Sequence, residues 1–214
     1  GLAPSSVTRV LTTIKAVINF AIQEEGIELS NPFKGLFVDK SIGPKKRMPV
    51  PLNDLQRVQK QCWNVDDDLR WIVAAISDTG CRMAEIVGLS KADVRLDGDI
   101  PFISISPKPW RRLKTASSER NIPLVGSALW GITRAYQTTN LEMLFPRYND
   151  GVSTNSNSAS AALSKWLKQQ TKPDCTMHSF RHSFRDRLRA VECPIELTDA
   201  LGGWSTDGIG AAYG

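Results

Sequence analysis

The chain has 214 residues, 41% of them hydrophobic, enough for a packed core without disulfide or metal staples. Its 27 Lys and Arg against 22 Asp and Glu give a net charge of +5, a mild excess that permits a nucleic-acid partner without demanding one. Cys62, Cys81, Cys175 and Cys193 form no C-x-x-C pair, and His178 and His182 are the only histidines. That argues against a zinc site and reads as reduced thiols of a cytosolic protein. The sequence shows no membrane-spanning apolar run and no signal peptide. It opens on Gly1-Leu2-Ala3-Pro4 rather than Met, as a fragment of a longer protein would.

Taken in chain order, residues 5–25 carry Val7, Val10, Leu11, Ile14, Val17, Ile18, Ala21 and Ile22 at three- and four-residue steps, one apolar helical stripe. Ser5 or Ser6 is the expected cap and Gly26 the stop. This segment is too short to bury its stripe alone, which predicts the tail of a helical domain. Gly43-Pro44-Lys45-Lys46-Arg47 is polar, basic and rich in breakers, so a domain boundary is expected near residue 44, dividing 1–44 from 45–214. Helices are predicted at 52–62, 67–78 and 82–89, with Gly80 separating the last two. Residues 101–106 alternate as a strand, and Asn121-Ile122-Pro123-Leu124 is its return strand across a basic hairpin. Further helices are expected at 126–139, 157–170, 178–190 and 195–201. The fold class is mainly α with a small antiparallel β-sheet (α+β).

Four constellations carry candidate chemistry. In Asp78-Thr79-Gly80-Cys81-Arg82-Met83-Ala84-Glu85, Arg82 opens a helix after a glycine break and Glu85, one turn on, can hold its guanidinium. A surface ion pair is the plain alternative, and a charge at a pocket rim the sharper one. The hairpin from Lys108 to Arg120 carries Lys108, Arg111, Arg112, Lys114 and Arg120. It is either a solvated tip or a probe for DNA phosphates, and a Lys on such a turn can act as a general acid. On the helix from His178, Phe180, Phe184, Leu188 and Val191 share one face, while His178, Arg181, His182, Arg185 and Arg189 share the other. That second face is either solvated or a phosphate cradle; the His pair lacks a third ligand for a metal. The last stretch, Gly202-Gly203-Trp204 to Tyr213-Gly214, holds no basic residue and would not by itself be read as catalytic.

An Arg after a glycine turn, a hairpin Lys, His-x-x-Arg, Trp, and a Tyr nine residues later appear in that order. The chain thereby resembles the tyrosine recombinases, and within them the phage-type integrases. Residues 5–36 resemble the last helices of the family's core-binding domain and residues 47–214 its complete catalytic domain. The resemblance implies the integrase catalytic fold with Arg82, Lys114, His178, Arg181, Trp204 and Tyr213 as catalytic residues and Glu85 in support. It also implies cleavage and rejoining of double-stranded DNA at a specific site through a 3′-phosphotyrosine. The reaction needs neither metal nor ATP. The protein would be a tetramer on DNA and a monomer without it, in the cytoplasm of a bacterial host. Lys45, Lys46, Arg47, Lys108, Arg111, Arg112, Arg120, His182 and Arg185 are the expected DNA contacts. Where the commoner motif has Gly-His, this chain has Gly203-Trp204, and an indole donates a hydrogen bond but shuttles no proton. The rival readings are a type IB topoisomerase or telomere resolvase, a non-catalytic DNA-binding module, and a helical interaction protein with a basic face. The last would show little salt dependence in DNA binding.

Overall fold

The computed structural model describes residues 2–39, 48–171 and 175–204. The chain divides into two compact units, with the division between Lys46 and Arg47. In the first unit, α1 (Pro4–Glu24) starts with Pro4 in its first turn, where a missing N–H costs nothing, and not with a serine cap. Gly26, in the left-handed conformation, follows its end. Leu11, Ile14, Ile18 and Ile22 are half-buried, whereas Val10, Val17 and Phe20 face outward. The expected stripe is thus only partly covered within this unit, and no residue of α1 is fully buried. Asn31 fastens the following turn to the helix by donating to the Lys15 carbonyl and to Asn19 Oδ1.

The second unit is mostly helical. Its elements are α2 (Leu52–Val65), α3 (Asp68–Thr79), α4 (Met83–Val87), β1 (Val94–Arg95), β2 (Phe102–Ile105), β3 (Arg120–Pro123), α5 (Gly126–Thr138), α6 (Ser156–Gln170), α7 (Ser179–Ala190) and α8 (Ile195–Gly202). Helix α3 is the central one. Asp67 caps it by accepting from the Arg70 amide, and eight of its twelve residues are buried. A helix buried over most of its length needs neighbours all round, and α2, α5, α6 and α7 supply them.

The strands form one antiparallel sheet in the order β1-β2-β3. Ile103 lies between Val94 and Ile122, and all three are buried on the core face, as the alternation predicts. The two-residue β1 is too short to show in a periodicity reading. Asn155 caps α6 through the Ser158 amide. Helix boundaries otherwise fall within a few residues of expectation, and Arg82 is the residue before α4 rather than its first turn. No helix among the described residues is long and apolar enough to cross a membrane.

Candidate active site

The site begins at the turn between α3 and α4. Gly80 ends α3 at φ +63, and a Cβ there would lie 2.5 Å from the Phe184 ring of α7. Only glycine permits both that backbone and that approach. The turn thereby delivers Arg82 beside α7. Glu85, 3% exposed, accepts from the Arg82 backbone amide at 2.8 Å and from Arg82 Nη1 at 2.6 Å. Its other neighbour is Arg120 of β3, whose Nη2 donates to Oε2 at 3.0 Å. Burial pushes the Glu85 carboxyl up, but Arg120, the Arg82 amide and the Arg82 charge together outweigh it and hold the group below its ordinary range. The surface-pair reading of Arg82 and Glu85 is thus replaced by a buried carboxylate shared by two arginines. Arg82 Nη1 also donates to Ser118 Oγ at 2.9 Å.

Helix α7 supplies the second arginine. Phe180 and Phe184 face the core as expected, but Val191 is 74% exposed, and Arg181, placed on the open face by periodicity, is 3% exposed. At the start of α7 that face turns toward the α3–α4 turn. Arg181 Nη1 donates to the Gly80 carbonyl at 2.8 Å, and its guanidinium carbon stands 4.4 Å from the Trp204 ring centre. Its Nη2 is buried with no hydrogen-bond partner among the described residues. Burial, followed by the Arg82 and Arg120 charges, brings its pKa down to about 10. Glu85 is paired with Arg82 and Arg120 but makes no ion pair with Arg181, so the cluster carries more positive charge than its one carboxylate offsets. Arg185 lies 5.0 Å from the same Trp204 ring and 3.5 Å from the Asp199 carboxylate. His178 and His182 are exposed, their rings edge-to-face at 5.2 Å.

Trp204 owes its position to the two preceding glycines. A Cβ on Gly202 would fall inside the indole, and one on Gly203 would lie 2.8 Å from Arg120 Nη1. Lys114 and Arg112 are exposed, and both line an open cleft of about 350 Å³ with Arg82, Glu85 and Leu113. The structure therefore gathers Arg82, Arg181 and Trp204 directly and sets Lys114 at the rim beside Arg82.

Two of the expected DNA contacts, Arg111 and Arg120, are corrected. Arg111 is 1% exposed; it bonds to Asp93 at 3.0 Å and to the carbonyls of Gly88 and Ser106. A guanidinium so enclosed braces the base of the hairpin and has no free donor face for DNA. Arg120 is likewise turned inward, bonded to Glu85, to the Ser118 carbonyl and to the Leu201 carbonyl. Lys108 lies 3.5 Å from the same buried Asp93 but keeps its side chain 30% exposed, so it stays among the expected DNA contacts. Hairpin periodicity alone cannot distinguish these from outward charges, because the basic residues answer acids distant in sequence. Ser118 was missed altogether; a buried serine beside a glutamate in a polar stretch gives no signal. Lys45, Lys46, Arg47 and Tyr213 lie outside the described residues.

The phage integrase family model matches residues 53–213. No curated protein matches the chain. Among solved structures, the integrase of transposon Tn1549 in complex with a circular intermediate DNA superposes with a TM-score of 0.68 at 16% identity, covering 99% of this chain and 78% of that one. A lambda integrase tetramer bound to a Holliday junction gives 0.65 at 17% identity, covering 96% and 60%. XerA recombinase gives 0.59 at 17%, covering 93% and 68%. These likenesses establish the fold, and the family match over most of the chain establishes descent: the chain belongs to the phage integrase family of tyrosine recombinases.

Proposed function

We propose that this protein is a site-specific recombinase that cleaves and rejoins DNA through Tyr213. The phenolic oxygen attacks a backbone phosphorus and the bond to the 5′-oxygen breaks, leaving a 3′-phosphotyrosine and a free 5′-hydroxyl. Arg82 and Arg181 donate to the non-bridging oxygens and take up their developing charge. Lys114 gives its proton to the leaving 5′-oxygen, and His178 assists with the tyrosine proton. Trp204 donates from its indole and packs beneath Arg181. The phosphodiester energy is kept in the covalent intermediate, so the 5′-hydroxyl of a partner strand reverses the step without ATP.

The observation that carries this reading is Arg181. It is a buried guanidinium that, among the described residues, has no carboxylate partner and an Nη2 without a hydrogen bond, beside a second arginine already oriented by Glu85. An isolated buried charge is unfavourable unless an anion completes it, and a DNA phosphate is the anion this family handles. An unperturbed phenol has a pKa near 10, so attack at neutral pH requires a group that takes its proton.

In this reading, residues 1–44 close a core-binding domain and residues 45–214 form the catalytic domain. Lys108, Arg112, His182, Arg185 and Lys45 to Arg47 add phosphate contacts. The protein works as a tetramer on two duplexes in a bacterial cytoplasm, integrating or excising a mobile element such as a prophage. The test is a nicked DNA carrying the cognate site: an SDS-resistant protein–DNA adduct forms with the wild type and is absent with Tyr213→Phe. An adduct of equal yield in the variant would overturn the assignment of the nucleophile.

A further inference from the structure

We infer that Arg120, which touches no DNA, is a positioning residue that locks the two halves of the active site together. The inference rests on the proposed recombinase reading. Arg120 stands on β3, yet its guanidinium reaches three other pieces of chain. Nη2 donates to Glu85 Oε2 at 3.0 Å and lies 3.6 Å from Cys81 Sγ, on the α3–α4 turn. Nη1 donates to the Ser118 carbonyl at 2.6 Å, at the hairpin's return. Nε donates to the Leu201 carbonyl at 2.8 Å, near the end of α8. Its side chain is 6% exposed.

Each contact leads to a candidate catalytic group. Glu85 holds Arg82 through Oε1 and through the backbone amide, so Arg120 fixes the carboxylate from its far side. Leu201 lies three residues before Trp204, and Arg120 Nη1 occupies the space that forbids a side chain on Gly203. The bond to Leu201 therefore sets where the indole meets Arg181. Ser118 accepts from Arg82 and is 3.0 Å from the Thr115 hydroxyl, which follows Lys114 in sequence. A planar fork of fixed donors can satisfy three such directions at once, whereas a lysine's point charge can satisfy the ion pair alone. Arg120 also contributes to the positive field that holds the Arg181 pKa down.

The experiment compares wild type, Arg120→Lys and Arg120→Gln on the nicked substrate and with inorganic orthovanadate. With DNA saturating, both variants are expected to cleave at least thirtyfold more slowly while their DNA affinity stays within threefold. Orthovanadate affinity is expected to fall at least tenfold in both, measured per folded molecule after unfolding curves give the native fraction. A weakened DNA affinity with an unchanged saturating rate would mean that Arg120 contacts DNA, and would overturn the inference. So would unchanged orthovanadate affinity, or losses in proportion to the unfolded fraction. A cycle with Glu85→Gln adds a check: Arg120→Gln should slow cleavage by a smaller factor once Glu85 is gone, the remainder coming through Leu201, and fully additive effects count against the coupling to Glu85. If the wild type forms no adduct with any DNA, the recombinase reading fails, and the orthovanadate arm still decides the role of Arg120.

Discussion

Replacing Arg181 by Met removes a buried charge while keeping most of the aliphatic stem. The guanidinium pKa of about 10 lies well below its ordinary value, and each unit of pKa is about 1.36 kcal/mol, so this charge destabilises the empty protein by on the order of 3 kcal/mol. At pH 7 the group is protonated in both the folded and the unfolded chain, so the whole penalty is present. Against its relief stand the bond to the Gly80 carbonyl, worth about 1 kcal/mol, and the stacking on Trp204, worth up to about 2 kcal/mol. The terms nearly cancel. Arg181→Met is therefore expected to unfold in urea within about 1 kcal/mol of the wild type, while single-turnover cleavage falls at least ~100-fold, as for loss of one donor to a developing oxyanion. Orthovanadate at a hundred times its dissociation constant should stabilise the wild type by about 2.7 kcal/mol and leave the variant unmoved. A loss of about 3–5 kcal/mol, typical of breaking a compensated buried pair, would refute the claim that this charge awaits an anion.

Glu85→Gln leaves Arg82 and Arg120 without their shared charge and should destabilise the protein by roughly 3 kcal/mol at pH 7. Because the folded-state pKa of Glu85 is depressed, its contribution is present above the ordinary glutamate value near 4.3 and is lost as pH falls through the lower folded value. Urea midpoints of the two proteins should therefore converge in acid and stay apart at neutral pH. Gly80→Ala meets both a left-handed backbone, roughly 1 kcal/mol, and the Phe184 ring, roughly 1–3 kcal/mol, so its melting temperature should drop clearly and cleavage with it. Arg111→Ala should cost about 3–5 kcal/mol in urea unfolding and leave the salt dependence of DNA binding unaltered. Arg112→Ala should do the reverse, reducing the salt slope by about 1 with stability within roughly 0.5 kcal/mol.

The site residues with a fixed local grammar were legible in advance. Gly80 before Arg82, the turn from Arg82 to Glu85, and the His178–Arg181 spacing each lie within one helical turn or one backbone break. The inward facing of Phe180 and Phe184 on α7 and the alternation of β2 followed from periodicity, because core-facing residues must recur with the period of the element that presents them. The fates of individual arginines were not legible. Arg111, Arg112 and Arg120 share one basic hairpin, and sequence offers no reason to separate them. Their partners decide: Asp93 for Arg111, and Glu85 and the Leu201 carbonyl for Arg120, with Arg112 left exposed. The same holds for Arg181, whose place on an outward-reading face became an interior one when α7 packed against the α3–α4 turn. Sequence determined which charges this protein possesses and the order in which they come. Tertiary structure decided which of them are neutralised, because compensation of a buried charge depends on acids brought close only by folding.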